Sequence, residues 1–228
     1  QIPSIPPAEP GPMGLIGRKS ASLGEVALVV IIFAGWFIVG SVQAVLLGFP
    51  AVSLSDADAL GIILIESILF LIAFAVLRSR GWKLADFSFV IGWRMTFAGA
   101  ILCGIAIVTS LLVWQLLGRF VGGKEFLDQF ADAIAVSLPV AVLLSVINGA
   151  YEEFFLCRYL IDGLSRFGAS IALGVSALIR VTYHLYQGPM GAILVLGFAL
   201  VVTIYYWRTR ALWPVMFAHI TLDLIALG

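Results

Sequence analysis

The chain has 228 residues, 62% hydrophobic and only 11% charged, and its 13 Lys and Arg balance 13 Asp and Glu. A soluble domain carries about 25% charged residues, so a water-facing globular fold is excluded, and 16 Phe, 6 Trp and 6 Tyr exclude a disordered one. With no net charge there is no field to draw the chain to nucleic acid, and two cysteines cannot frame a disulfide scaffold, which leaves an integral membrane protein.

Residues 1–14 hold five of the nine prolines and read as an extended tail, placed at 1–20 ahead of a transmembrane helical domain at 21–228. A bilayer core about 30 Å thick is crossed by roughly 20 apolar residues in a helix. Such segments fall at 24–48, 58–78, 95–118, 132–162, 169–187, 188–207 and 211–227. They predict an all-α polytopic membrane protein of about seven transmembrane helices. Pro139 predicts a kink near the start of the fourth. Between the second and third segments, residues 78–94 interleave Arg78, Arg80, Lys83 and Arg94 with Trp82, Phe87, Phe89 and Trp93. That mixture fits the headgroup region of a membrane, or an ordinary loop.

The basic residues set an orientation. Arg18, Lys19, the four just named, Arg166, Arg208 and Arg210 fall on one side of the alternation, while only Arg119 and Lys124 fall on the other. The positive-inside rule then puts the N-terminus in the cytoplasm and the C-terminus across the membrane, as in a cell inner-membrane protein.

Ionisable residues at membrane depth are costly and mark function by default. Here they are Glu66, Glu152, Glu153, Arg158, Arg180, His184, His219 and Asp223, and both histidines of the chain are among them. Glu66, alone in its helix, reads as structural or surface-pointing. Glu153 and His184 are equidistant from the polar turn at Ser165–Gly168, so they lie level if segments four and five form a hairpin. That reading puts the motifs in the inner, cytoplasmic half of the membrane. His219 and Asp223 are i, i+4 and share a helix face, as do Arg180 and His184.

The tandem glutamates of Tyr151-Glu152-Glu153-Phe154-Phe155, then Arg180-Val181-Thr182-Tyr183-His184, then His219-Ile220-Thr221-Leu222-Asp223, resemble the CPBP family of CAAX-prenyl endopeptidases and bacteriocin-processing (Abi) enzymes. That family's pattern is EExxxR, FxxxH and HxxxN or HxxxD on three membrane helices, and the motif-bearing core here spans about 132–228. The resemblance implies an intramembrane protease acting on a membrane-associated protein or peptide. It implies Glu152 as general base, Glu153 in support, His184 and His219 holding the water or the scissile carbonyl, and Asp223 orienting His219. A carboxylate poorly hydrated among apolar helices suits general-base work without a metal. The alternative is a zinc ion on Glu152, His184 and His219. Two departures stand out: Cys157 takes the arginine position of EExxxR, with Arg158 one residue late, and Arg180 takes the phenylalanine position of FxxxH. Arg180 is therefore expected to supply the missing cation to Glu153, with Arg158 the other supporting candidate. A catalytically altered scaffold or subunit of a membrane complex is the competing function.

Overall fold

The computed structural model describes residues 20–50, 53–87, 89–120 and 134–227. The tail expected at 1–20 lies outside the described residues except for Ser20. Among the described residues, seven helical stretches follow one another: α1 Leu23–Leu46, α2 Asp56–Ser79, α3 Trp93–Leu117, α4 Leu138–Glu153, α5 Ala169–Tyr183, α6 Gly188–Thr209 and α7 Leu212–Leu227. Helix α4 runs on without a break as π-helical Phe154–Ile161 and a last turn at Asp162–Leu164. Two short strands, β1 Leu54–Ser55 and β2 Ile134–Ala135, pair in parallel.

Side-chain caps fix two helix starts. Ser22 accepts from the Glu25 amide at the head of α1, and Ser55 with Asp58 forms a reciprocal capping box at the head of α2. Pro139 behaves otherwise than expected. It stands in the first turn of α4, where its missing amide costs no hydrogen bond, and it opens the helix instead of kinking it.

Among the described residues, five helices are long and apolar enough to cross a membrane: Leu23–Leu46, Asp56–Ser79, Trp93–Phe120, Leu138–Phe167 and Leu185–Thr209. Helices α5 and α7, with 15 and 16 residues, are apolar but shorter. At 1.5 Å per residue they reach about 22–24 Å, short of a full bilayer core. These two short helices carry the histidine motifs.

Hydrogen bonds tie the helix ends into two sets. At one end the start of α1, the α2–α3 connection, the end of α4 and the end of α6 meet. Ala21 N–H donates to Gly163 O, Trp82 Nε1 to Glu25, Arg158 Nε to Asp86 O and Arg210 to Asp162. At the other end Ser41 of α1 donates to Tyr183 O at the end of α5, and Ser137 N–H donates to Asp56 at the head of α2. The basic connections at 78–94, Arg166 and Arg208–Arg210 thus belong to the first end.

The 78–94 connection divides between the two readings of its sequence. Trp82 and Phe87 are buried, and Phe87 stacks on Phe154 at 4.2 Å, so these two rings seal the bundle. Trp93 is 75% exposed and keeps the outward position a headgroup anchor needs. Large apolar side chains such as Leu64, Phe97 and Leu112 face outward along α2 and α3, whereas all eight residues of the π-helical stretch are buried. The motif helix is the centre of the bundle.

Candidate active site

Glu152 and Glu153 occupy the last two α-helical positions of α4, immediately before the winding changes to π. π-Helical turns bond i to i+5 and cluster at functional sites. Gly149 lets α7 approach: a Cβ there would meet Ile220 Cγ1 at 2.8 Å and His219 Cβ at 3.6 Å, so only glycine admits the last motif this close.

Arg180 is 1% exposed and lies between the two glutamates. One guanidinium nitrogen donates to Glu152 Oε2 at 3.1 Å, and the other pairs with Glu153 Oε1 at 2.7 Å. The cation missing from α4 thus stands on α5, and it bridges both carboxylates where Glu153 alone was expected. Cys157 Sγ is 3.1 Å from Glu153 Oε2, so the residue at the displaced arginine position donates a thiol instead. Arg158 does not join them. Its guanidinium turns to Asp86 O, the Tyr206 hydroxyl and Asp162, at 2.7, 3.3 and 3.3 Å, because one extra residue along the helix rotates it off the glutamate face. Arg158 thus stands apart from the glutamate cluster.

Both histidines are held by one nitrogen. His184 caps the C-terminus of α5 with Nδ1 2.9 Å from Arg180 O; a carbonyl only accepts, so Nδ1 carries the proton. His219 Nδ1 lies 2.7 Å from Glu153 Oε1. The two Nε2 atoms both face Glu152, His184 Nε2 at 3.9 Å from Oε1 and His219 Nε2 at 3.9 Å from Oε2. That separation is too long for a direct hydrogen bond and leaves room for a bridging molecule. Asp223 Oδ1 is 3.5 Å from His219 Nε2, and its other oxygen accepts from Asn148 at 3.1 Å.

A cavity of about 350 Å³ adjoins this cluster, reached by Glu152, His184 and Asp223. It extends past Leu144 and Tyr151 to Leu54, Ile134, Tyr186 and Gln187. Those last four residues belong to the end of the bundle away from the basic connections, so the expected position in the half next to those connections is not what the fold gives. The reason is the brevity of α5: fifteen residues after the polar turn, His184 already caps its far end. Of the two readings of Glu66, the surface-pointing one is excluded. It is 4% exposed and lines the cavity, where a surface-pointing role was the alternative to a structural one.

Two contributors escaped the sequence reading. Asn148 sits one turn before Glu152, at i−4, a spacing that places both on one face and could have flagged it. Phe198 of α6 stacks under the Arg180 guanidinium at 5.2 Å and meets the His219 ring edge-on at 5.1 Å; an apolar residue in an apolar helix leaves no sequence signal.

Residues 134–225 match the family model described as type II CAAX prenyl endopeptidase Rce1-like. No curated protein and no solved structure matches the chain. The matched segment contains every residue of the cluster just described.

Proposed function

Since residues 134–225 match the family model of type II CAAX prenyl endopeptidase Rce1-like proteins, we propose that the chain is an intramembrane endopeptidase in which Glu152 activates a water molecule. The observation that carries this reading is the pair of 3.9 Å gaps between the Glu152 oxygens and the Nε2 atoms of His184 and His219. A water in that space has a carboxylate to take its proton and an imidazole on either side to orient it.

Attack proceeds from the water oxygen onto the scissile carbonyl carbon as Glu152 takes the proton. The oxyanion is received by the Nε2–H of a protonated His219, whose positive charge is balanced by Glu153 at Nδ1 and Asp223 near Nε2. The C–N bond then breaks, and Glu152 returns its proton to the leaving amine nitrogen. Glu153 is a positioning residue: it fixes His219 and pairs with Arg180. Asp223 positions His219 in turn.

Zinc on Glu152, His184 and His219 fits this arrangement poorly. Arg180 donates to Glu152 Oε2, one of the oxygens a dication would need, and sets a positive charge beside it. The reading is therefore metal-independent, and turnover undiminished by a strong chelator is the expected result. Seven membrane crossings, with α5 and α7 as short spans, and a cytoplasmic N-terminus complete the proposal. On that orientation the cavity opens away from the cytoplasm.

The scaffold reading keeps one observation in its favour. Arg180 stands where the family pattern has phenylalanine, and it occupies an oxygen of the general base. Cleavage of a quenched fluorescent peptide library by the purified protein, lost in Glu152→Gln, supports the protease. A folded wild-type protein that cleaves nothing supports the scaffold.

A further inference from the structure

We propose that the cavity beside Glu152 receives a cation, the ammonium or guanidinium head of a Lys or Arg side chain on a peptide, with Glu66 as the carboxylate that anchors it. The peptide as carrier rests on the protease reading; the cation site does not.

Glu66 comes from α2, which the Glu152 motif does not use. Its Oε2 is buried and has no hydrogen-bond partner among the described residues. A buried carboxylate oxygen left unpaired is expensive, and polar groups buried this way are normally partnered. The side chain lines the cavity, so a group entering there completes it. Two further carboxylates, Glu152 and Asp223, line the same space, whereas among the described residues no Lys or Arg does. Arg180 is engaged by the glutamate pair and is not part of the wall.

The rest of the wall suits the stem that carries such a charge. Phe33, Phe37, Tyr151 and Tyr186 offer aromatic faces, which attract a desolvated cation and pack along its methylenes. A neutral apolar side chain would leave Glu66 unpaired. An anionic one would meet three carboxylates. The lining therefore selects sign as well as shape, and Glu66 is a specificity-determining residue for this cavity.

The experiment titrates n-butylammonium into the purified full chain in detergent, with butan-1-ol as the neutral isostere, and follows tryptophan emission, because Trp36 lines the cavity. The expected result is a saturable response to the amine and none to the alcohol, with affinity falling about tenfold or more in Glu66→Gln, the worth of a hydrogen bond to a charged group. Unchanged amine affinity in Glu66→Gln, an equal response to the alcohol, or no saturable response in the wild type overturns the proposal. Should Glu66→Gln fail to fold, Glu66→Asp decides: retained amine binding supports the site and lost binding overturns it. Because no turnover is read, a protein that binds the amine through Glu66 yet cleaves no peptide overturns the protease reading alone.

Discussion

Helix α4 carries two buried charge clusters about two turns apart, and they are built differently. Toward its end, Arg158, Asp162, Tyr206 and Arg210 close on one another at 2.5 to 3.3 Å, and the Arg210 guanidinium packs over the Trp207 ring at 4.5 Å. At its middle, Glu152, Glu153, Arg180, His184, His219 and Asp223 use similar side chains, but the Nε2 atoms stop 3.9 Å short of Glu152. The first cluster spends its hydrogen bonds on the fold, joining the α2–α3 connection, α4 and α6. The second uses its own to orient groups toward a space. Charge at membrane depth therefore does not by itself mark a site; charged and titratable groups aimed at a shared gap do.

The sharpest way to break this comparison is Glu152→Gln. If the gap holds the reacting water, turnover falls by about 10²–10⁴, the usual worth of a positioned base. The melting temperature should hold or rise, because an amide costs less to bury than a carboxylate. Unchanged turnover would sink the base assignment.

Arg180→Phe comes next. It restores the family residue on α5 but strips Glu152 and Glu153 of their cation, and breaking a buried pair costs about 3–5 kcal/mol. Adding Cys157→Arg supplies a cation from α4, at a position whose present side chain already reaches Glu153. Denaturant unfolding should show the double variant recovering most of the loss. A double variant no more stable than Arg180→Phe would refute the exchange of cations between helices.

Asp162→Asn probes the closed cluster. Two arginines lose a charged acceptor, at about 1–3 kcal/mol in stability, while turnover per folded molecule should not change. A fall in specific activity would show that the two clusters are coupled, and the contrast between them would fail.

Much of this was legible in the chain. The seven helical segments and the three motifs follow from apolar runs and from ionisable residues set within them, since few other arrangements tolerate such residues in a membrane. The displacement of Arg158 was readable as a one-residue rotation, and the need for Arg180 followed from it. What escaped depends on approach between helices. Trp82 and Phe87 are buried because α1 and α4 come close enough to receive them, which no local pattern encodes. The burial of Glu66 depends on which face of α2 meets α4, and a helix apolar all round does not declare a face. The cavity's end of the bundle was missed because hydropathy places α5 but its fifteen-residue length decides where His184 arrives.

The smallest expected effect belongs to Asn148, the residue that joins the open cluster without a motif to announce it. Its amide donates to Asp223 Oδ2 at 3.1 Å, and Asp223 faces His219 Nε2 at 3.5 Å, so Asn148 acts on the site through two intermediaries. Asn148→Ala removes one hydrogen bond and should cost about 1 kcal/mol in stability. Asp223 is then free to turn from His219, and loosening the group that would receive the oxyanion should lower kcat by about two- to tenfold, since one fully lost donor is worth about 10²–10³. KM should move less than kcat, because Asn148, although it lines the cavity, is hydrogen-bonded to Asp223 and acts on His219 through it. Asp223→Asn keeps a side chain of the same shape but removes the charge facing His219, and should lower kcat further. Steady-state kinetics on both variants tests the order: a larger loss in Asn148→Ala than in Asp223→Asn would mean that Asn148, which lines the cavity, meets the substrate directly, and the positioning chain would have to be redrawn with Asn148 as a contact in its own right.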